Sequence, residues 1–249
     1  MLRAHRHAPS AAPKGPGREG TPVDSAGSAR TRVRRIAELQ RFDRAALDEV
    51  LDAGKLAHVA VVDDGQPYAL PMAYVRDEDR ILLHGSTGSR LMRLLQDGAP
   101  TCVTVTLLDG LVFARSAFES SMHYRCAMIL GVCSPAPDPL DALRIMTDSL
   151  LAGRWNEVRP TTSKELAGTH ILQLQLDEWS VKISDGDPED PPEDQELDIW
   201  AGVVPTVTAY GDPRPSGDLR PGIATPPSVR RLADRSTPNA PALPSHGPP

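Results

Sequence analysis

The chain has 249 residues, a formal net charge of -6, and 40% hydrophobic against 24% charged residues, the balance of a globular protein with ample core. The acidic total gives no reason to expect nucleic acid as a partner. No apolar run is long enough to span a bilayer, and the basic N-terminus lacks the apolar stretch of a signal peptide, so a cytoplasmic location without a membrane partner is expected.

Proline and glycine are unevenly spread. Residues 1–35 mix Pro, Gly, Ser and Ala with Arg and Lys and hold almost nothing apolar, which predicts a basic disordered tail; residues 211–249 predict a second, Pro-rich one. A single domain is expected over residues 36–210. Its acidic stretch 185–194 is followed by an apolar island, 197–205, expected to dock on the core. The three cysteines, Cys102, Cys126 and Cys133, have no C-x-x-C spacing and lie in apolar stretches, which predicts reduced thiols and no metal site.

Residues 43–54 read as a short amphipathic helix, capped by Asp43, with Leu47, Val50 and Leu51 on one face and Gly54 at its end. Residues 55–63 turn β-rich and alternate, Asp64-Gly65 supplies a hairpin turn, and residues 66–76 return as a second strand. Pro71 donates no ladder bond, so that strand is expected to meet an edge, a bulge or a ligand there. A third strand, 80–84, enters a Gly/Ser/Thr loop, and a helix over 88–97 follows. Strands 100–108 and 111–116 are predicted to pair across Asp109-Gly110 as a second hairpin. A long strand over 122–134, a capped helix over 138–151 and a last strand over 169–183 complete the domain. Helices spaced between antiparallel hairpins give a mainly β fold, a closed or nearly closed antiparallel barrel with a few covering helices.

The loop at 84–90, His84-Gly85-Ser86-Thr87-Gly88-Ser89-Arg90, gathers backbone N–H groups, hydroxyls and a guanidinium where a strand feeds a helix. Such a junction suits a phosphate. Ser and Thr are also ordinary helix caps, and an Arg in a first turn is often only solvated. The spacing matches neither the Walker loop nor Gly-x-Gly-x-x-Gly.

Several strings, taken in order, resemble the pyridoxamine 5'-phosphate oxidase-like family of FMN-binding split barrels, in its flavin-nucleotide-binding branch similar to the nitroimidazole reductases. They are Asp64-Gly65-Gln66-Pro67-Tyr68 with Pro71 downstream, His84-Gly85-Ser86 with Gly88-Ser89-Arg90, Leu107-Leu108-Asp109-Gly110-Leu111-Val112, Ser121-Met122-His123-Tyr124-Arg125, Lys164-Glu165-Leu166 and Trp200-Ala201-Gly202-Val203-Val204-Pro205. The resemblance implies an antiparallel split β-barrel and a homodimer with FMN at the subunit interface. It places His84, Ser86, Ser89 and Arg90 at the FMN phosphate, and Pro71, Met72, Ala73 and Tyr74 along the isoalloxazine edge. Tyr124 and Arg125 are implied to face the flavin or the partner subunit. Tyr74 and Tyr124 also fit as half-buried strand aromatics, and Arg125 as an inter-strand ion partner.

Family members often carry Asn-Tyr-Arg-Ser where this chain has His123-Tyr124-Arg125-Cys126, and Arg where it has Ser184. The C-terminal Arg- and Trp-containing clamp of the true pyridoxine phosphate oxidases has no match, so vitamin B6 oxidation is not expected. The implied activity is hydride or electron transfer between a reduced nicotinamide nucleotide and a small-molecule acceptor; the alternative is a flavin- or haem-binding carrier or sensor without turnover. His84 and His123 are the acid–base candidates, with His58 a barrel-wall histidine.

Overall fold

The structure, a computed structural model, describes residues 28–234; the outer parts of both expected tails, 1–27 and 235–249, lie outside the described residues. The elements are β1 (Gln40–Arg41), α1 (Arg44–Ala53), β2 (Leu56–Asp63), β3 (Gln66–Asp77), β4 (Arg80–Ser86), α2 (Arg90–Gln96), β5 (Pro100–Phe113), β6 (Ser121–Val132), β7 (Ser134–Pro135), α3 (Pro139–Leu150), α4 (Ser163–Ala167), β8 (Thr169–Gln175), β9 (Glu178–Ser184), β10 (Gly202–Pro205) and α5 (Pro227–Asp234). Among the described residues no helix is long and apolar enough to cross a membrane.

The strands form one antiparallel sheet in the order β1-β9-β6-β5-β2-β3-β4-β8-β7, with β10 added alongside β5. β3 joins its two halves, pairing β2 through residues 66–73 and β4 through residues 74–77. The consecutive strands β8 and β9 part company, one pairing β4 and the other β6, so the barrel is split rather than closed. Inside it, Ala57, Val59 and Val61 of β2, Val103 and Val105 of β5, and Ala127 and Ile129 of β6 pack beneath Leu47, Val50 and Leu51 of α1. α3 buries Ala142 and Met146 against Val75, Leu82 and Ile171 on the other face of β3, β4 and β8. Each large apolar side chain so buried stabilises the fold by about 1.5–3 kcal/mol.

The Asp64-Gly65 turn forms as expected, with both residues at positive φ (49° and 75°), the twist a two-residue hairpin favours. Pro71 falls in the half of β3 that has a strand on one side only, which answers its missing donor.

Three expectations need correction. Asp109-Gly110 is not a turn. β5 runs unbroken past it with a bulge between Leu108 and Gly110, and its partner is β6. The Asp109 carboxylate is taken up by Arg125 through two bonds of 2.9 Å, and a Cβ on Gly110 would lie 3.0 Å from the Val204 carbonyl, so the dipeptide serves an ion pair and the close approach of β10. The bend sits at residues 114–120 instead, held by the Ser116 and Ser120 hydroxyls. The strand expected over 169–183 is two strands, turning where Leu176 N–H bonds the Asp79 carbonyl at 2.8 Å.

The inner parts of the expected tails are also packed. Ser28 and Arg30 both bond Glu178, and Thr31 is buried, while α5 forms within the Pro-rich stretch and buries Ser228. The apolar island reaches the sheet through β10, leaving Trp200 exposed beside Phe113. All three cysteines are free; Cys133 is buried, which pushes its thiol up to about 11, and the other two are half-buried.

Candidate functional site

β4 delivers the Gly/Ser/Thr loop to the start of α2, where the Ser89 hydroxyl caps the helix by accepting from Met92 N–H at 3.4 Å. Three successive backbone donors of the loop are already engaged. Thr87 N–H bonds the Gly168 carbonyl, Gly88 N–H bonds Ser86 Oγ, and Ser89 N–H bonds the Ser86 carbonyl, at 3.0, 3.1 and 2.9 Å. Those three are closed to a ligand, while the N–H groups of Arg90 and Leu91 in the first turn of α2 have no partner. The loop's side-chain donors are the Ser86, Thr87 and Ser89 hydroxyl hydrogens and the Arg90 guanidinium.

Arg90 is not free either. Its Nε donates to Asp63 Oδ2 at 2.6 Å, its Nη2 forms an ion pair with the same oxygen, and its guanidinium stands 4.3 Å from the centroid of the Tyr68 ring. Asp63 ends β2 and Tyr68 lies just past the 64–65 turn, so the hairpin brings both to the start of α2. The carboxylate raises the Arg90 pKa, and the side chain stays 55% exposed. Neither Asp63 nor Tyr68 was singled out from sequence as a site residue. Only the fold sets the hairpin tip against the loop.

His84 pairs with Ile171 across the sheet and shares its face of β4 with Leu82 and Ser86. The residue is exposed, yet the protein around its ring desolvates it enough to lower its pKa. The four residues expected along the isoalloxazine edge do not share a face. Pro71 and Ala73 point to the outer side of β3, opposite His58 and Leu56 of β2, whereas Met72 packs on the core. Tyr74 is 1% exposed and donates to the Leu51 carbonyl at 2.6 Å, a core residue whose phenol pKa burial pushes well up. It is removed from the cofactor edge.

Tyr124 and Arg125 likewise face opposite sides of β6. Tyr124 looks outward, with Lys182 Nζ 6.0 Å from its ring. Arg125 turns inward to Asp109 and Glu49 and lines a cleft of about 460 Å³ that also includes Lys55, Thr106 and Thr208. His123, on the same side as Arg125, is buried opposite Gly110. The registers of β2, β5 and β6 put Tyr124 about nine residues along the sheet from Asp63, roughly 30 Å at the rise of a strand. The loop group and the Tyr124 group of one chain are too far apart to touch the same flavin mononucleotide.

Residues 43–183 match the family model described as pyridoxamine 5'-phosphate oxidase. No curated protein matches the chain. Among solved structures, the FAD and haem binding protein from Mycobacterium smegmatis is 45% identical, with a TM-score of 0.76 over 78% of this chain and 97% of that one. The flavocytochrome Anf3 from Azotobacter vinelandii is 36% identical, with a TM-score of 0.79 over 84% of this chain and 98% of its own. A protein provisionally described as conferring 5-nitroimidazole antibiotic resistance, from Bacteroides thetaiotaomicron, shares the fold at 20% identity and a TM-score of 0.50 over 58% and 86% of the two chains.

Proposed function

The chain belongs to the pyridoxamine 5'-phosphate oxidase family, and on that footing we propose that it binds a flavin nucleotide and passes hydride or electrons between a reduced nicotinamide nucleotide and a small-molecule acceptor. The observation that carries the reading is the loop after β4. There the Ser86 and Ser89 hydroxyls and the Arg90 guanidinium stand by the hairpin end of β3, the half of that strand with a free edge. These are anion-binding groups beside a strand edge with unpaired backbone polar groups. FMN, implied by the resemblance, and FAD, in the name of the 45% identical protein, both have a phosphate and a ring system for such a place. A bound flavin supplies the redox chemistry, and the protein supplies position, polarity and access.

The active unit is a homodimer. The outer face of β2, β5 and β6 exposes Leu56, Val62, Leu108, Met122 and Val132, more apolar surface than α1 and α3 can hide. A second copy on this face brings its own Tyr124 to the flavin, which the 30 Å separation within one chain forbids. The names of the two structures above 30% identity favour a second reading, an electron carrier holding flavin and haem. Haem iron takes an imidazole nitrogen, and His58, exposed on the outer face between Leu56 and Ala60, offers one.

The absorbance of the purified full chain, before and after NADH or NADPH, tests the proposal. A flavin band that bleaches with one nucleotide is expected, from a particle of dimer mass in light scattering. A chain that takes up neither FMN nor FAD overturns it, and a haem band that follows the flavin on reduction favours the carrier.

A further inference from the structure

α4 holds the Lys164-Glu165-Leu166 string and has only five residues, none of them fully buried. A helix this short is not stable by itself. It is nevertheless fixed at both ends: the Thr162 hydroxyl accepts from Glu165 N–H at 3.3 Å, the Glu165 carboxylate accepts from Thr162 N–H at 2.8 Å and from Arg159 through both oxygens, and Thr169 Oγ1 donates to the Glu165 carbonyl at 2.9 Å. Only Leu166 packs against the core beneath α3. We infer that this frame serves Lys164, which α4 presents to the phosphate of the flavin nucleotide as an uncompensated cation; the inference rests on the proposed flavin binding.

The position of Lys164 follows from the strand pairing. Thr87 N–H bonds the Gly168 carbonyl at 3.0 Å and Ser86 pairs with Thr169, so the end of α4 lies against the loop after β4. Gly168 N–H in turn bonds the Lys164 carbonyl at 3.1 Å, which sets Lys164 one turn, about 5.4 Å, from Gly168 on the same face of the helix. β4 stands between β3 and β8, so Arg90 flanks the loop on the side of the 64–65 turn and Lys164 flanks it on the other. The residues between them are those with the Ser86, Thr87 and Ser89 hydroxyls.

The two cations are not equivalent. Arg90 shares its charge with Asp63 through Nε and Nη2. Glu165 is the carboxylate next to Lys164 in sequence, but Arg159 and Thr162 take both of its oxygens, and Lys164 is left exposed with no ion pair among the described residues. A lysine kept clear of carboxylates is a compact charge with three rotatable donors, which suits a phosphate.

The test is titration of the flavin-free full chain with FMN, FAD and riboflavin, followed by flavin fluorescence, with thermal unfolding run on each variant. Lys164→Ala should weaken FMN and FAD about tenfold and riboflavin, which has no phosphate, less than about twofold. Lys164→Gln keeps most of the length without the charge and should match it, whereas Lys164→Arg should stay within about threefold of the wild type. Raising the salt should shrink the wild-type preference for FMN over riboflavin and change that of Lys164→Ala less. Equal losses for FMN and riboflavin, or an FMN affinity that Lys164→Ala leaves unchanged, overturn the inference while the flavin reading stands. Failure of all three flavins to bind the wild-type chain overturns both.

Discussion

Tyr74 Oη donates a 2.6 Å hydrogen bond to the carbonyl oxygen of Leu51, so a side chain from the middle of the sheet closes one of the carbonyls that the C-terminal end of α1 leaves without a helical partner. Gly54 makes the contact possible, because a Cβ there would lie 2.6 Å from Tyr74 Oη and from Val105 Cγ1.

Tyr74→Phe should therefore destabilise the chain by about 1–2 kcal/mol in urea unfolding, from the loss of the bond and the stranding of a buried carbonyl. Gly54→Ala should cost about 1–3 kcal/mol through overpacking. Burial raises the Tyr74 pKa above its ordinary value of 10.0. The phenol thus contributes fully below pH 10 and loses its contribution as pH climbs toward the folded value. The stability of the Phe variant should fall less steeply above pH 10 than that of the parent.

Asp190 anchors the acidic stretch that follows β9. Its side chain is 1% exposed and accepts from Arg115 N–H at 2.8 Å and from Arg115 Nη1 at 2.9 Å, while Arg115 Nε is buried with no partner. Asp190→Ala leaves a half-buried guanidinium uncompensated and should cost about 3 kcal/mol or more, read as a lowered unfolding midpoint.

α5 is held at its start by Glu157, which accepts from Ser228 N–H at 3.0 Å and from the Ser228 hydroxyl, and further along by a 2.8 Å bond from Arg231 Nη2 to the Ala152 carbonyl. These Ser228 bonds lower the Glu157 pKa. Its contribution is present above the ordinary carboxylate range and is lost as pH falls through the folded value. Glu157→Gln should release α5 to protease several times faster at pH 7 and remove most of the acid-induced release expected of the parent.

His84 shows a dependence of the same sense, set at higher pH. Desolvation lowers its pKa below 6.5, so the folded chain resists protonating it, and the stability it contributes is complete above that value and declines as pH falls below it. Its imidazole resonance should titrate below pH 6.5 in NMR, and His84→Asn should lessen the loss of stability between pH 6.5 and 5. A midpoint at or above 6.5 would show a ring more open to water than its surroundings suggest.

Local rules carried most of the fold. The Asp43 and Asp138 caps, the 64–65 turn and the inward alternation of β2 follow from residue type and period. Asp109-Gly110 has the same dipeptide as Asp64-Gly65 and the opposite fate, because what decides it, the Arg125 guanidinium and the Val204 carbonyl, lies far along the chain. The turn between β8 and β9 was hidden because Leu176-Asp177 contains no Gly, Pro or Asn. At the site, the residues of the loop were legible and the direction of their donors was not. Tyr74 and Arg125 needed only the two-residue period to be set apart from Ala73 and Tyr124; the family pattern placed each with its sequence neighbour, and the strand turns those neighbours to opposite faces.

The bulge in β5 works as a change of reading frame. Before it the buried residues are Thr101, Val103 and Val105; after it they are Val112 and Ala114, so the wet and dry sides of the strand exchange odd for even numbers at one residue. Ironing out the bulge with Asp109 still in the strand would turn Leu111 and Phe113 into the interior in place of Val112, whereas removing Asp109 would abolish the bulge, keep those orientations and leave Arg125 without its nearest carboxylate. Chain length can drift at the solvent-facing bend of residues 114–120. At Asp109 the count is tied to the bulge, because everything from there to Ala114 keeps its orientation only while the bulge absorbs that one residue.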